Sequence, residues 1–161
     1  MIILGIDPGT ACTGWGVIEV VGNSYHLLSF GTIKAKTKIL SEKYVIIFDS
    51  INQIIDTYHP DYISVETQFV DKNVQSAIKL GMARGMAVLA GAKRQIPIYE
   101  YAPLKAKQAV SGSGNASKEH VQKMISILLN LSETVPHDAA DGLALAICHA
   151  HFARAKASLP I

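Results

Sequence analysis

Apolar and polar positions along this 161-residue chain change period several times, and each change marks an element. Residues 2–6 are almost wholly apolar and end at Asp7, which predicts a buried strand over 2–7. A second strand is predicted over 14–20, and Gly22-Asn23 suits a tight primed turn into a third over 24–34. The period then lengthens. Leu40, Tyr44, Ile47, Ile51, Ile54 and Tyr58 recur at helical spacing, giving an amphipathic helix over about 41–58. After the helix-breaking Pro60, residues 61–66 read as a fourth strand, followed by a Gly- and Ala-rich helix over about 72–93. "IPIYEY" (96–101) is a fifth strand, and a short helix begins near Pro103. "SGSGNAS" (111–117) is a glycine-rich loop whose Ser117 can cap a helix over about 118–131, and a last helix spans about 137–155. The order βββαβαβααα predicts an α/β fold, a five-stranded mixed sheet flanked by helices.

Composition adds bounds. Nearly half the residues are apolar and only 17% are charged, so one folded domain is expected over 1–157, with a short tail at 158–161. No run approaches the ~20 apolar residues of a membrane span, and the N-terminus lacks the pattern of a signal peptide. Cys12 and Cys148 form neither a disulfide framework nor a zinc spacing, and read as buried thiols in a reducing compartment, the cytoplasm. Net charge is +2, from 15 basic and 13 acidic residues. Gathering four carboxylates at a metal would leave nine acidic residues against those 15, a modest excess that suits a polyanion. Lys34, Lys36 and Lys38 alternate, so they share one face if the third strand stays extended; the simplest reading is a solvated edge guarded against aggregation.

Candidate chemistry sits in the acids. Asp7 and Glu66 both end apolar strands, and if those strands are parallel neighbours both emerge at the carboxyl edge of the sheet. Asp138 and Asp141, in "HDAADGLALAICHA", stand three residues apart on one side of a helix, in what is expected to be its first turn. Taken alone, each has an ordinary reading: helix N-terminal acids for the pair, strand-end residues bonding turn amides for Asp7 and Glu66. Together, four carboxylates with no obvious basic counterpart would repel one another. Divalent cations reverse that problem. All-oxygen ligation suits Mg²⁺ or Mn²⁺, and two ions about 4 Å apart would stabilise both attacking and leaving oxygens at a phosphate.

"GIDPGTACTGWGVI", "PDYISVETQF", "SAIKLGMARG", "AKQAVSGSGNASK" and "HDAADGLALAICH" together resemble, in order and spacing over nearly the whole chain, the RuvC family of Holliday junction resolvases. The resemblance implies a ribonuclease H-like fold and a homodimer that binds four-way DNA junctions in recombination and repair. It also implies Mg²⁺-dependent, two-metal nicking of two symmetric strands, leaving 5′-phosphate and 3′-hydroxyl ends, in partnership with a branch-migration motor of the RuvA and RuvB type. By matching position the catalytic, metal-holding carboxylates fall on Asp7, Glu66, Asp138 and Asp141. Phe69 matches an aromatic used against bases at the crossover, and Lys107 and Lys118 match residues that hold the DNA backbone. Gly112 and Gly114 would let backbone approach phosphate beside Lys118.

Departures are small. Gly142 stands where alanine is expected and should loosen its helix slightly. His137, next to Asp138, could contact a metal or the attacking water, but reads first as a helix-start residue, while His149 and His151 diverge on their helix and receive no role. For the homodimer, the helix over 72–93 is the expected interface, with Gly81 and Gly85 allowing close approach and Met82, Met86, Val88 and Leu89 giving apolar contact.

Three other readings compete. "GIDPGT" also resembles the first phosphate loop of actin-like ATPases and sugar kinases, which need a second similar domain that 161 residues cannot hold. A catalytically dead junction scaffold is disfavoured by the presence of all four carboxylates. A related nuclease of ribosomal RNA precursors shares the fold, but the "GSGNASK" loop and "DAAD" pair favour DNA junctions.

Overall fold

The computed structural model describes residues 1–67 and 73–154. Strands β1 (Ile2–Asp7), β2 (Cys12–Val21) and β3 (Ser24–Lys34) are followed by α1 (Leu40–Tyr58), β4 (Tyr62–Glu66), α2 (Val74–Lys93) and β5 (Ile98–Tyr101). Helices α3 (Pro103–Ser111), α4 (Lys118–Leu128) and α5 (His137–Arg154) complete the order expected from the pattern. The strands form one sheet in the order β3-β2-β1-β4-β5. Pairing is antiparallel from β3 through β1 and parallel from β1 through β5. The sheet is therefore mixed, as predicted. The expected tail at 158–161 lies outside the described residues.

Boundaries move where local chemistry intervenes. Strand β5 starts at Ile98 rather than 96, because Pro97 has no N–H to give and Gln95 turns the chain at φ 58°. Helix α4 stops at Leu128 instead of 131, where Asn130 takes the left-handed conformation (φ 52°). Between β2 and β3, Gly22 is the residue with positive φ (56°) and Asn23 is not, the sign pattern of a II′ turn.

The pleat sorts the sheet into two faces. Leu4, Ile6, Val17, Ile63 and Val65 pack with α1 and α2. On the other face Ile3, Ile18 and Val20 pack with α3, α4 and α5. Because strand side chains alternate, Asp7 shares the face of Ile3, and Glu66 that of Ser64, opposite Val65. The Ser64 hydroxyl donates to the Leu145 carbonyl at 2.8 Å and ties β4 to α5 inside the core.

Helix α5 docks unusually close, and glycines make that possible. A Cβ on Gly14 would lie 1.7 Å from the Asp138 carbonyl oxygen, and one on Gly5 would lie 2.0 Å from that of Gly142. Gly142 itself meets the Trp15 backbone, where a Cβ would come within 2.6 Å of Cα. Beyond the slight loosening expected of it, Gly142 has a packing role: it lets the helix backbone rest on β2.

Candidate active site

Each acid arrives by a separate local cause. Ile6 pairs with Val65 across the parallel β1–β4 ladder, so the next residues, Asp7 and Glu66, end their strands side by side. After Asp7 the chain turns sharply, and the buried Thr13 hydroxyl closes the turn by donating to the Gly9 carbonyl (3.0 Å) and accepting from its N–H (3.2 Å). Asp7 is therefore not consumed in bonding that turn. Helix α5 begins on the same face and the same end of the sheet, its Asp138 main chain resting on Gly14, which pairs with Asp7. Only Asp138 falls in the first turn of α5; Asp141 lies one turn further in, contrary to the expectation that both sit in the first turn. Asp138 is exposed while Asp7, Glu66 and Asp141 are half-buried.

Electrostatics ties the four into one site. Burial pushes Asp7 up to about 7, the charges of Asp141 and Asp138 push the same way, and Lys118 opposes them. Glu66 also rises to about 7, again mainly by burial, with Asp7 and Asp141 adding to it and Lys107 and Lys118 opposing. Asp141 is raised by burial, against the pull of Lys118. Among the described residues, one hydrogen bond reaches these carboxylates: the Cys12 thiol donates to Asp138 Oδ2 at 3.2 Å. Arg84, a half-buried cation on α2, is taken by Glu100 of β5 in an ion pair. As folded, no three His, Cys, Asp or Glu side chains among the described residues form a ready-made metal cage. The donor set still suits a hard cation, since its carboxylates offer oxygens and repel one another, with Lys107, Lys118 and His137 opposing that repulsion in part.

This arrangement of strand-end and helix acids coincides with a family match. Residues 3–149 match the family described as Crossover junction endodeoxyribonuclease RuvC. The chain belongs to the RuvC family. The crossover junction endodeoxyribonuclease RuvC of Protochlamydia amoebophila is 55% identical over 160 residues, 98% of this chain and 95% of that one. Thermus thermophilus RuvC, in a structure with Holliday junction substrate, superposes with a TM-score of 0.93 at 34% identity, covering 100% of this chain and 99% of the other. The yeast mitochondrial Holliday junction resolvase Ydc2 shares the fold at 14% identity (TM-score 0.63), over 91% of this chain and 77% of its own. The fold is ribonuclease H-like, as the resemblance implied.

Within this RuvC-family site, the two lysines singled out by sequence come to the carboxylates. Lys118, exposed at the first position of α4, acts on Asp7, Glu66 and Asp141; Lys107, half-buried on α3, acts on Glu66 and Asp141. The Ser117 hydroxyl accepts the His120 N–H at 3.2 Å and fixes that helix start. In the preceding loop Gly112 caps α3 in the left-handed region (φ 76°), and Gly114 packs on Leu104. His137 opens α5 near Asp141, whose pKa it lowers. Phe69 lies outside the described residues. His149 is buried, bonded through Nδ1 to the Tyr101 hydroxyl (2.9 Å), while His151 is exposed, so the two do diverge.

Sequence reasoning misses Cys12. It is not the buried thiol expected but a half-exposed group at the edge of the site, its pKa raised by burial and by Asp138. No spacing rule would find it. The glycine floor is findable, since Gly14 and Gly16 alternate on one strand face, a mark of close backbone approach.

The raised acids make a stability prediction. Their folded pKa values exceed the ordinary carboxylate range, so the native state binds more protons than the unfolded chain between about pH 4 and 7. Stability contributed by these groups therefore falls as pH rises through that window. Calorimetry in EDTA should show a loss on the order of 2–3 kcal/mol between pH 5 and pH 8. Asp7→Asn should remove much of that loss and melt above wild type at pH 8. A wild-type protein equally stable at both pH values would contradict the electrostatic picture.

Proposed function

We propose that this crossover junction endodeoxyribonuclease holds two Mg²⁺ ions, or Mn²⁺ in their place, between Asp7, Glu66, Asp138 and Asp141, and hydrolyses one phosphodiester per subunit at a four-way DNA junction. The observation that carries the reading is the meeting of four carboxylates from β1, β4 and α5 at one sheet edge, with lysines as their opposing charges. When bound, the cations supply positive charge to the phosphate undergoing attack and lower the pKa of the attacking water. The chain's own residues do the positioning. Asp7 is fixed at a strand tip by the Thr13-closed turn, and α5 is fixed against β2 by the glycine floor. Lys107 and Lys118 hold the scissile strand's phosphates, the latter helped by the capped N-terminus of α4. Phe69 stacks against bases at the crossover, by resemblance. Products are 5′-phosphate and 3′-hydroxyl ends.

Lys118→Ala tests the phosphate contact. Junction cleavage should fall about tenfold or more, and the slope of log K against log[salt] should drop by about one unit. An unchanged slope would place Lys118 outside the DNA contact.

Two matched nicks call for two sites, and a two-fold homodimer is the simplest way to present them. Support comes from α2, where Val74, Ile78, Gly81, Met82, Gly85 and Leu89 form an outward stripe. A Cβ on Gly81 or Gly85 would meet nothing within 4 Å, so these glycines do not serve the helix's own packing; Ala83, Ala87, Ala90 and Gly91 do that. Met86 and Val88, expected in the interface, pack instead against the inner core. Sedimentation should show a dimer, and Gly85→Leu should give monomers that no longer nick in pairs; a monomeric wild type making paired nicks would refute the interface. Among the described residues no helix is long and apolar enough to cross a membrane. The proposed setting is the cytoplasm, with a RuvA- and RuvB-type motor as partner.

A further inference from the structure

Spacing alone reads the lysines at the end of β3 as a solvated edge, and the structure gives them a more specific setting. Asp7 pairs with Gly14 across β1–β2, and Gly14 pairs with Thr32 across β2–β3, so these three residues form one row. Lys34 is two residues beyond Thr32 and pairs with Cys12. Its side chain leaves on the α5 face, because its neighbour Ile33 belongs to the α1–α2 core. That is the face of the four carboxylates. Two strand spacings and two residues put Lys34 roughly 12 Å from Asp7. The chemistry agrees: the Lys34 charge is felt at the Cys12 thiol, and that thiol bonds Asp138.

The basic line continues past the strand. Lys34, Lys36 and Lys38 are exposed, with buried Ala35 and half-buried Thr37 between them, so alternation survives where the ladder stops. The segment is held in place, since Thr37 donates to Glu42 Oε2 at 2.5 Å and accepts the Ile39 N–H at 3.1 Å. Glu42, the nearest acid along the chain, is thereby engaged. Among the described residues none of the three lysines is in an ion pair. Lys107 and Lys118, by contrast, are carried by α3 and α4.

We propose that Lys34, Lys36 and Lys38 form a second phosphate track, along which one DNA arm of the junction runs from the carboxylate site across the edge strand β3. This rests on the junction-cleaving reading above and extends it to the path of the duplex. An edge merely guarded against aggregation needs charge but no DNA; a track must show itself in counterion release.

The test is equilibrium binding of a synthetic four-way junction in EDTA, so nothing is cut, across a salt series from roughly 50 to 300 mM. Proteins compared are wild type, the triple Lys34→Ala, Lys36→Ala, Lys38→Ala variant, and a triple Lys→Arg variant at the same positions. The alanine variant should bind about tenfold or more weakly near 0.1 M salt, and its salt slope should fall by about two to three units, ~0.9 for each phosphate no longer neutralised. The arginine variant should match wild type. If the triple alanine protein aggregates, the single Lys36→Glu variant replaces it and should show a slope smaller by about one unit or more. Wild-type slope and affinity in these variants would overturn the track. Failure of wild type to prefer a junction to linear duplex would instead overturn the functional reading beneath it.

Discussion

Asp7→Asn, Glu66→Gln, Asp138→Asn and Asp141→Asn should each lower junction cleavage by roughly three orders of magnitude or more while leaving junction binding within a few-fold of wild type. The separation follows from the site's construction. Each substitution keeps shape but removes one of the four carboxylate charges proposed to hold cations, whereas binding is proposed to rest on lysines at the phosphate backbone. Ca²⁺ should support binding of the wild-type protein with little cutting, because its looser coordination misplaces the attacking water. Gel assays of binding and nicking on the same junction distinguish the two effects. Substantial cleavage by Asp7→Asn would remove the proposed role of the strand tip.

Gly14→Ala should be among the most damaging single changes away from the carboxylates. Its Cβ would overlap the Asp138 carbonyl oxygen at 1.7 Å, and that oxygen belongs to a helix backbone that cannot step aside alone. The whole of α5 would have to lift from the sheet. A cost of about 3–5 kcal/mol in urea denaturation is expected. Gly16→Ala offers a milder case, since its Cβ would meet the buried Leu143 at its side chain (2.4 Å) and less closely at its backbone N (3.0 Å); overpacking costing roughly 1–3 kcal/mol is expected there. Where Gly14→Ala protein still folds, cleavage should fall further than stability alone explains, because Asp138 moves away from Asp7. Equal, small costs at both positions would show that the helix does not rest on β2 as described.

The legible parts of this protein are those fixed by period. Strand alternation places Asp7 and Glu66 at strand ends, and the parallel pairing of β1 with β4 makes them neighbours. Helical spacing puts Asp138 and Asp141 on one side of α5. What period cannot state is how deeply one element sinks into another. Gly142 looks like a weak helix residue because its cost is local, while its gain, contact with the Trp15 backbone, is tertiary. Cys12 looks like any apolar-strand thiol until α5 brings Asp138 to it across 126 residues of sequence. Similarly, Lys107 and Lys118 are identified through family resemblance, not spacing, since their approach to the acids depends on α3 and α4 packing beside α5. Met86 and Val88 are misplaced on an outer face by sequence reasoning because α2, rich in Gly and Ala, has only a weak apolar stripe to orient it.

Whether four-way DNA junctions are cut through one carboxylate site that needs a divalent cation is measured most directly by a single set of incubations. The wild-type protein is incubated with a synthetic four-way junction, linear duplex and an RNA–DNA hybrid, each with Mg²⁺ and with EDTA. Paired, symmetric nicks in the junction alone, ligatable and dependent on Mg²⁺, are the predicted result. Junction cutting that persists in EDTA, or equal cutting of the hybrid or the duplex, would contradict it.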